Sequence, residues 1–154
     1  MDLEKHLIEQ GRKVVVLDGQ HLRLGISRDL GFTSEERSEN LRRAAEIARL
    51  INDAGLICIA AFVAPHEEVR QRVRQLIGPE RFVHVHLSAS VAVCRQRDAT
   101  GRYLAADRGQ ISDFPGVTSS YQVPEDADLV ISSEECSPQE TFRQTIDFLA
   151  DRLA

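Results

Sequence analysis

An α/β fold built on a parallel sheet is what this chain predicts, and three observations carry it. Residues 56–62 form an unbroken apolar run, the pattern of a central parallel strand covered on both faces. Apolar runs of this kind alternate with helical patterns along the whole chain, which requires right-handed crossovers and a sheet sandwiched by helices. An apolar stretch at 14–17 ends in Asp18 and Gly19, placing an acid and a tight turn at the carboxyl end of a strand, where open α/β sheets bind their ligands.

Each element follows from its own residues. Leu3, Leu7 and Ile8 recur at helical spacing before Gly11, so residues 2–10 read as the last turns of a helix. A buried strand is expected over 13–17. Ser34 is a plausible N-cap for a long helix over 35–54, with Leu41, Ala44, Ala45, Ala48 and Ile51 on one face and Gly55 as its stop. The second strand, 56–62, cannot continue through Pro65. A helix over 66–77, a strand over 82–87, and a helix over 89–97 capped by Ser88 come next. Residues 98–125 are polar, rich in Gly and Pro and almost without periodicity beyond a short helical piece at 103–107. So long a segment inside a small domain is a functional lid or a disordered stretch. A strand over 128–131 and a helix over 138–153 close the chain. No repeat or linker divides it, so residues 1–154 are expected to form one domain.

Composition narrows the function. The 154 residues suffice for one core without disulfides or metal. A net charge of -5 and a pI near 5.5 give no basic footprint, which argues against nucleic acid as a partner. Cys58, Cys94 and Cys136 are odd in number and widely spaced, so neither a zinc site nor a disulfide framework is indicated. No apolar run approaches a membrane span, and residues 1–6 lack the apolar core of a signal peptide. A cytoplasmic location is the expectation.

The blocks Asp18-Gly19-x-x-x-Arg23, Asp29-Leu30-Gly31-Phe32 and Glu36-Arg37-x-Glu39-Asn40-x-Arg42-Arg43 together resemble the adenylylsulfate kinases, which use ATP to phosphorylate the 3′-hydroxyl of adenosine 5′-phosphosulfate (APS), giving PAPS. The resemblance runs from about Ile8 to the C-terminus. It implies a P-loop-kinase-like parallel sheet, Mg²⁺ with ATP as cofactor, a homodimer, and association with an ATP sulfurylase by fusion or contact. The family's opening strand and its G-x-x-x-x-G-K-[ST] loop have no counterpart in this sequence. The expectation is therefore an N-terminally incomplete copy of the fold: an expressed fragment, a relative adapted to the loss, or the tail of a fused sulfate-activation protein. In the family's strand order the missing strand lies between the strands at 56–62 and 82–87. Those two edges must then pair with each other or with something else.

Asp18 is the candidate base or metal-linked acid of the turn, or else a cap for backbone amides. The resembling kinases carry a second carboxylate where this chain has Gln20, which is neither a base at neutral pH nor a good Mg²⁺ ligand. Arg23, Arg37 and Asn40 match the family's APS-binding positions. A phosphosulfate needs planar, permanently charged donors, and the alternative for these arginines is ion pairing with Glu36, Glu39 or Asp29. Phe32 and Phe114 resemble the pair of rings that sandwich the APS adenine, worth on the order of 1–3 kcal/mol per stacked base. Phe114 has no evident core to join.

Arg97, in a C-x-x-R-D segment, matches an arginine lying against the ATP adenine. Its alternative is a solvated cation at a helix C-terminus. Ala61, Phe62, Val63, Ala64 and Pro65 correspond to a backbone-lined wall of the APS pocket. The lid departs from the family pattern, with Leu104, Ala105, Asp107 and Ser112 where cations are usual. Phosphoryl transfer draws on Lys, Arg and Mg²⁺ together, so loop, acid and lid all weaken it here. Three readings follow: a kinase domain whose activity needs residues outside this chain, a non-catalytic APS/PAPS-binding regulator of a sulfurylase, or a purely structural domain with a decayed site that binds no ligand.

Overall fold

Four short strands pair two by two in the computed structural model, which describes residues 2–153. The strands are β1 (Val14–Asp18), β2 (Ile57–Ala61), β3 (Val85–Ser88) and β4 (Leu129–Ser132). β1 runs parallel to β2, from Val14 opposite Ile57 to Asp18 opposite Ala61. β3 runs parallel to β4, from Val85 opposite Leu129 to Ser88 opposite Ser132. The four expected strands are all present, each within a few residues of its predicted bounds. Among the described residues β2 is paired with β1, and β3 with β4.

The chain packs as two compact units, one ending at Phe82 and the other beginning at Val83. In the first, α1 (Asp2–Glu9) packs on β1 and buries Leu7 to 2% exposure. α2 (Gly19–Leu24) follows β1 directly, and α3 (Ser34–Asp53) lies on both strands. Ala44, Ala45 and Ala48 are buried on α3, where small side chains let the helix approach the sheet closely. Leu17, Ala45, Ala48 and Ile77 form the core, with Ile77 brought in by α4 (Glu67–Ile77). Burying a side chain such as Ile77 contributes about 1.5–3 kcal/mol.

α3 begins differently from expectation. Thr33, not Ser34, is its N-cap: the Thr33 hydroxyl accepts from the Glu36 amide, and the Glu36 carboxylate accepts from the Thr33 amide. That reciprocal pair satisfies two otherwise orphaned donors. α2 was not expected as a helix. Its first turn is organised by Asp18, whose Oδ1 accepts from the amides of Gln20 (2.7 Å) and His21 (3.2 Å).

The second unit holds α5 (Val91–Arg97), α6 (Arg102–Asp107) and α7 (Pro138–Leu149), the last followed by a 3-10 turn at Ala150–Arg152; another 3-10 turn, Pro79–Arg81, follows α4 in the first unit. Ser90, not Ser88, caps α5. Ser88 ends β3 and bonds the Ile131 carbonyl instead. Ile131 and Ala106 are the buried apolar residues here among those described, so the deeper core belongs to the first unit.

Candidate functional site

The carboxyl end of β1 gathers the site of the first unit. Gly19 opens α2, and its backbone carbonyl accepts from Arg23 Nη1 at 2.7 Å and from Asn40 Nδ2 at 3.3 Å. A Cβ on Gly19 would stand 3.0 Å from the Phe62 ring, so the turn needs a residue without a side chain. Arg23 Nε also donates to the Gly31 carbonyl at 2.8 Å, tying α2 to the loop before α3. Arg37, on the first turns of α3, donates from Nε to the Phe32 carbonyl at 2.9 Å.

Both arginines also reach the Phe32 ring. The Arg23 guanidinium lies 4.4 Å from the ring centroid and that of Arg37 5.4 Å, and the ring is 43% exposed. Each cation–π contact at such a site is worth about 0.5–1 kcal/mol, enough to orient side chains rather than to hold a fold together. Asn40 is 1% exposed, and its Oδ1 finds no hydrogen-bond partner. A buried amide oxygen left this way costs roughly 1–3 kcal/mol.

Asp18, Arg23, Phe32, Arg37 and Asn40 are therefore brought together within one unit. Of the three carboxylates near these arginines, Glu36 is held down by backbone amides first and by the Arg23 charge as well, while the other two are bound by arginines further along α3. Asp29 is bound by Arg43 at 2.6 Å, and Glu39 by Arg42 and Arg43 at 2.8 and 2.9 Å. Arg42 foremost, then Arg43, holds the Glu39 carboxyl down at about 2. This network, carried by the Arg42-Arg43 end of the motif, braces α3 against the loop of Asp29 and Ile26, whose carbonyl also accepts from Arg43. Backbone amides of Thr33 and Gly31 hold Glu36 below its ordinary value. Sequence reasoning missed both braces, although Thr33-x-x-Glu36 is a legible capping signature.

A strap over residues 62–66 leaves the end of β2 beside this turn. Ala64 is the one non-glycine residue with positive φ (38°) among those described. Arg70 of α4, 6% exposed, donates from Nη1 to the Ala64 carbonyl at 2.8 Å and binds the Glu67 carboxylate through Nε and Nη2. His66 Nε2 meets Ser34 Oγ at 2.7 Å.

Phe114 and Arg97 lie in the second unit. Phe114 packs within its own segment: Tyr103 meets it edge-on at 4.8 Å between centroids, and the Arg102 guanidinium lies 5.7 Å from the ring centre. The Phe114 amide donates to Thr118 Oγ1 at 2.8 Å, closing a small turn. Arg97 is exposed and donates to the Ser133 carbonyl at 2.8 Å. The start of the 98–125 segment is ordered by Asp98, which accepts from the Thr100 hydroxyl and amide and from the Tyr103 amide; the Thr100 side chain foremost holds its carboxyl down at about 2. Asp107 pairs with Arg95, which lowers the Asp107 carboxyl.

The α/β framework, with Arg23, Arg37, Asn40 and Phe32 near the carboxyl end of β1, is of the P-loop-kinase-like class. The chain belongs to the adenylylsulphate kinase family, whose profile matches residues 1–132. It is 47% identical over 147 residues to the bifunctional enzyme CysN/CysC of Rhodopirellula baltica, covering 96% of this chain and 23% of that one. Against the adenylyl-sulfate kinase of Staphylococcus carnosus it is 41% identical over 150 residues, covering 97% and 75%. The APS kinase CysC of Mycobacterium tuberculosis, solved in complex with AMPPNP and APS, superposes with a TM-score of 0.90 at 34% identity, covering 96% of this chain and 86% of that one.

Proposed function

We propose that this chain supplies the APS-binding half of an adenylylsulfate kinase. In the complete protein the reaction is transfer of the ATP γ-phosphate to the 3′-hydroxyl of APS, giving PAPS. The observation that carries the reading is the convergence of Arg23 and Arg37 on the Phe32 ring, beside Asn40 and the Asp18–Gly19 turn. Guanidinium groups suit the phosphosulfate oxygens, and the exposed ring suits an adenine face. Phe114 and Arg97 are assigned to the adenines of APS and ATP by resemblance.

MgATP does not fit the residues present. Among the described residues no cluster of His, Cys, Asp or Glu could hold a metal, Asp18 Oδ1 is engaged by two backbone amides, and the lysines are Lys5 and Lys13, neither in a G-K-[ST] sequence. On this reading the strand and loop that hold ATP lie outside these 154 residues, and Mg²⁺ enters with ATP in the longer protein. A cytoplasmic homodimer, joined to an ATP sulfurylase by fusion or contact, completes the proposal; nucleic acid and membrane are not partners in it.

A second reading, a non-catalytic APS/PAPS-binding regulator of a sulfurylase, is favoured by Gln20 and by the Arg95–Asp107 pair, which sets a carboxylate where resembling kinases carry a cation. Calorimetric titration with APS, then with ATP and Mg²⁺, tests both. APS binding without ATP is expected. Absence of APS binding in a cooperatively melting chain overturns both readings, and PAPS formation from labelled ATP rejects the regulator.

A further inference from the structure

We infer that Arg70 is a positioning residue for the ligand site, acting through the strap over residues 62–66. The inference rests on the APS reading above. The strap's start is fixed by the parallel ladder, which sets Ala61 opposite Asp18, and by the Phe62 ring, which packs against Gly19. Its far end is fixed by His66 on Ser34, in the first turn of α3 next to Thr33 and Phe32. The strap therefore borders the Asp18–Gly19 turn at one end and the Phe32–Arg37 corner at the other.

Its middle is held by Arg70. Among the described residues Arg70 is the one charged side chain that is buried, and burying a guanidinium is unfavourable unless hydrogen bonds and a counter-charge offset it. An apolar residue would fill the same place on α4 at lower cost. What Arg70 adds is a bond to the Ala64 carbonyl, and Ala64 is where the backbone takes a positive φ that a side chain disfavours. Glu67 fixes the guanidinium in turn, and Gln71 Nε2 holds the other Glu67 oxygen at 2.8 Å. The chain Gln71–Glu67–Arg70–Ala64 thus transmits the rigidity of α4 to a strained backbone position beside the site.

The test is Arg70→Lys, which keeps the charge but replaces a planar fork with a point donor that cannot serve Glu67 and Ala64 together. Calorimetry with APS is expected to show affinity about tenfold weaker, a difference of about 1.4 kcal/mol. Amide exchange should accelerate at Phe62, Val63, Ala64 and His66, while β1 and the middle of α3 keep their protection. Should Arg70→Lys fail to fold, Glu67→Gln leaves Arg70 in place and is expected to weaken APS about threefold with the same exchange signature. A folded variant with unchanged APS affinity, or with exchange unaltered in the strap, overturns the inference while the APS reading stands. Wild-type protein that melts cooperatively without binding APS removes the reading and the inference together.

Discussion

Arg37→Ala removes a guanidinium that contacts the Phe32 ring and donates to the Phe32 carbonyl; Arg37 is not among the residues of the apolar core cluster. Hydrogen bonds to charged groups are worth about 1.5–3 kcal/mol, so APS affinity is expected to fall roughly 10- to 100-fold, with the thermal midpoint displaced by only a few degrees. Calorimetry beside a melt checks both halves. Equal affinity removes Arg37 from the site. Gly19→Ala should behave in the opposite way, because its Cβ meets the Phe62 ring at 3.0 Å. Phe62 packs on the core, and overpacking there costs about 1–3 kcal/mol, read as a lower denaturant midpoint. That Asp18, Arg23, Arg37 and Asn40 lie close to one turn was legible from the motif blocks that carry them. The Arg70–Ala64 contact was not, since neither a buried arginine nor a positive φ at alanine leaves a periodic trace in sequence.

α3 turns its N-terminal residues into site geometry, so its cap carries two consequences. Thr33→Ala removes the hydroxyl that holds the Glu36 amide, and is expected to cost about 0.5–2 kcal/mol and to speed amide exchange in the first turn. Thr33→Ser should retain most of that stability. The expected start at Ser34 was one residue late: neighbouring hydroxyls look alike in sequence, and only the spacing to Glu36 distinguishes Thr33. α2 escaped notice because six residues opening on glycine carry little helical propensity; the helix exists through its Asp18 cap. In the other unit, Phe114 has company from Tyr103, a contact between residues 103 and 114 that no local pattern announces.

The whole molecule should lose stability in acid within a definite window. Glu39 and Asp98 both titrate at about 2 in the folded chain, against ordinary values of 4.5 and 3.8. Carboxyls depressed by folding stabilise above their unfolded values and lose that contribution as pH falls through the folded ones. The thermal midpoint is therefore expected to be level from about pH 7 to 5, as far as these two groups decide it, and to fall from about 4.5 towards 2. High salt should blunt the part owed to Glu39, whose partners Arg42 and Arg43 are partly exposed. A midpoint insensitive to pH below 4 would mean that the brace of α3 is not formed in solution.

The two parallel ladders also set an order of events during synthesis. A parallel strand cannot find its neighbour through a tight hairpin, and Val14 waits for Ile57 just as Val85 waits for Leu129. On a ribosome, β1 is thus committed only once the whole of α3 and the start of β2 have emerged, and β3 only after residues 98–125 have been made. Each unit closes on a long loop whose entropy is lost before its strand contacts are gained. Translation speed across 14–57 and across 85–129 should therefore influence yield more than speed elsewhere, a dependence that synonymous codon changes in those two intervals would expose.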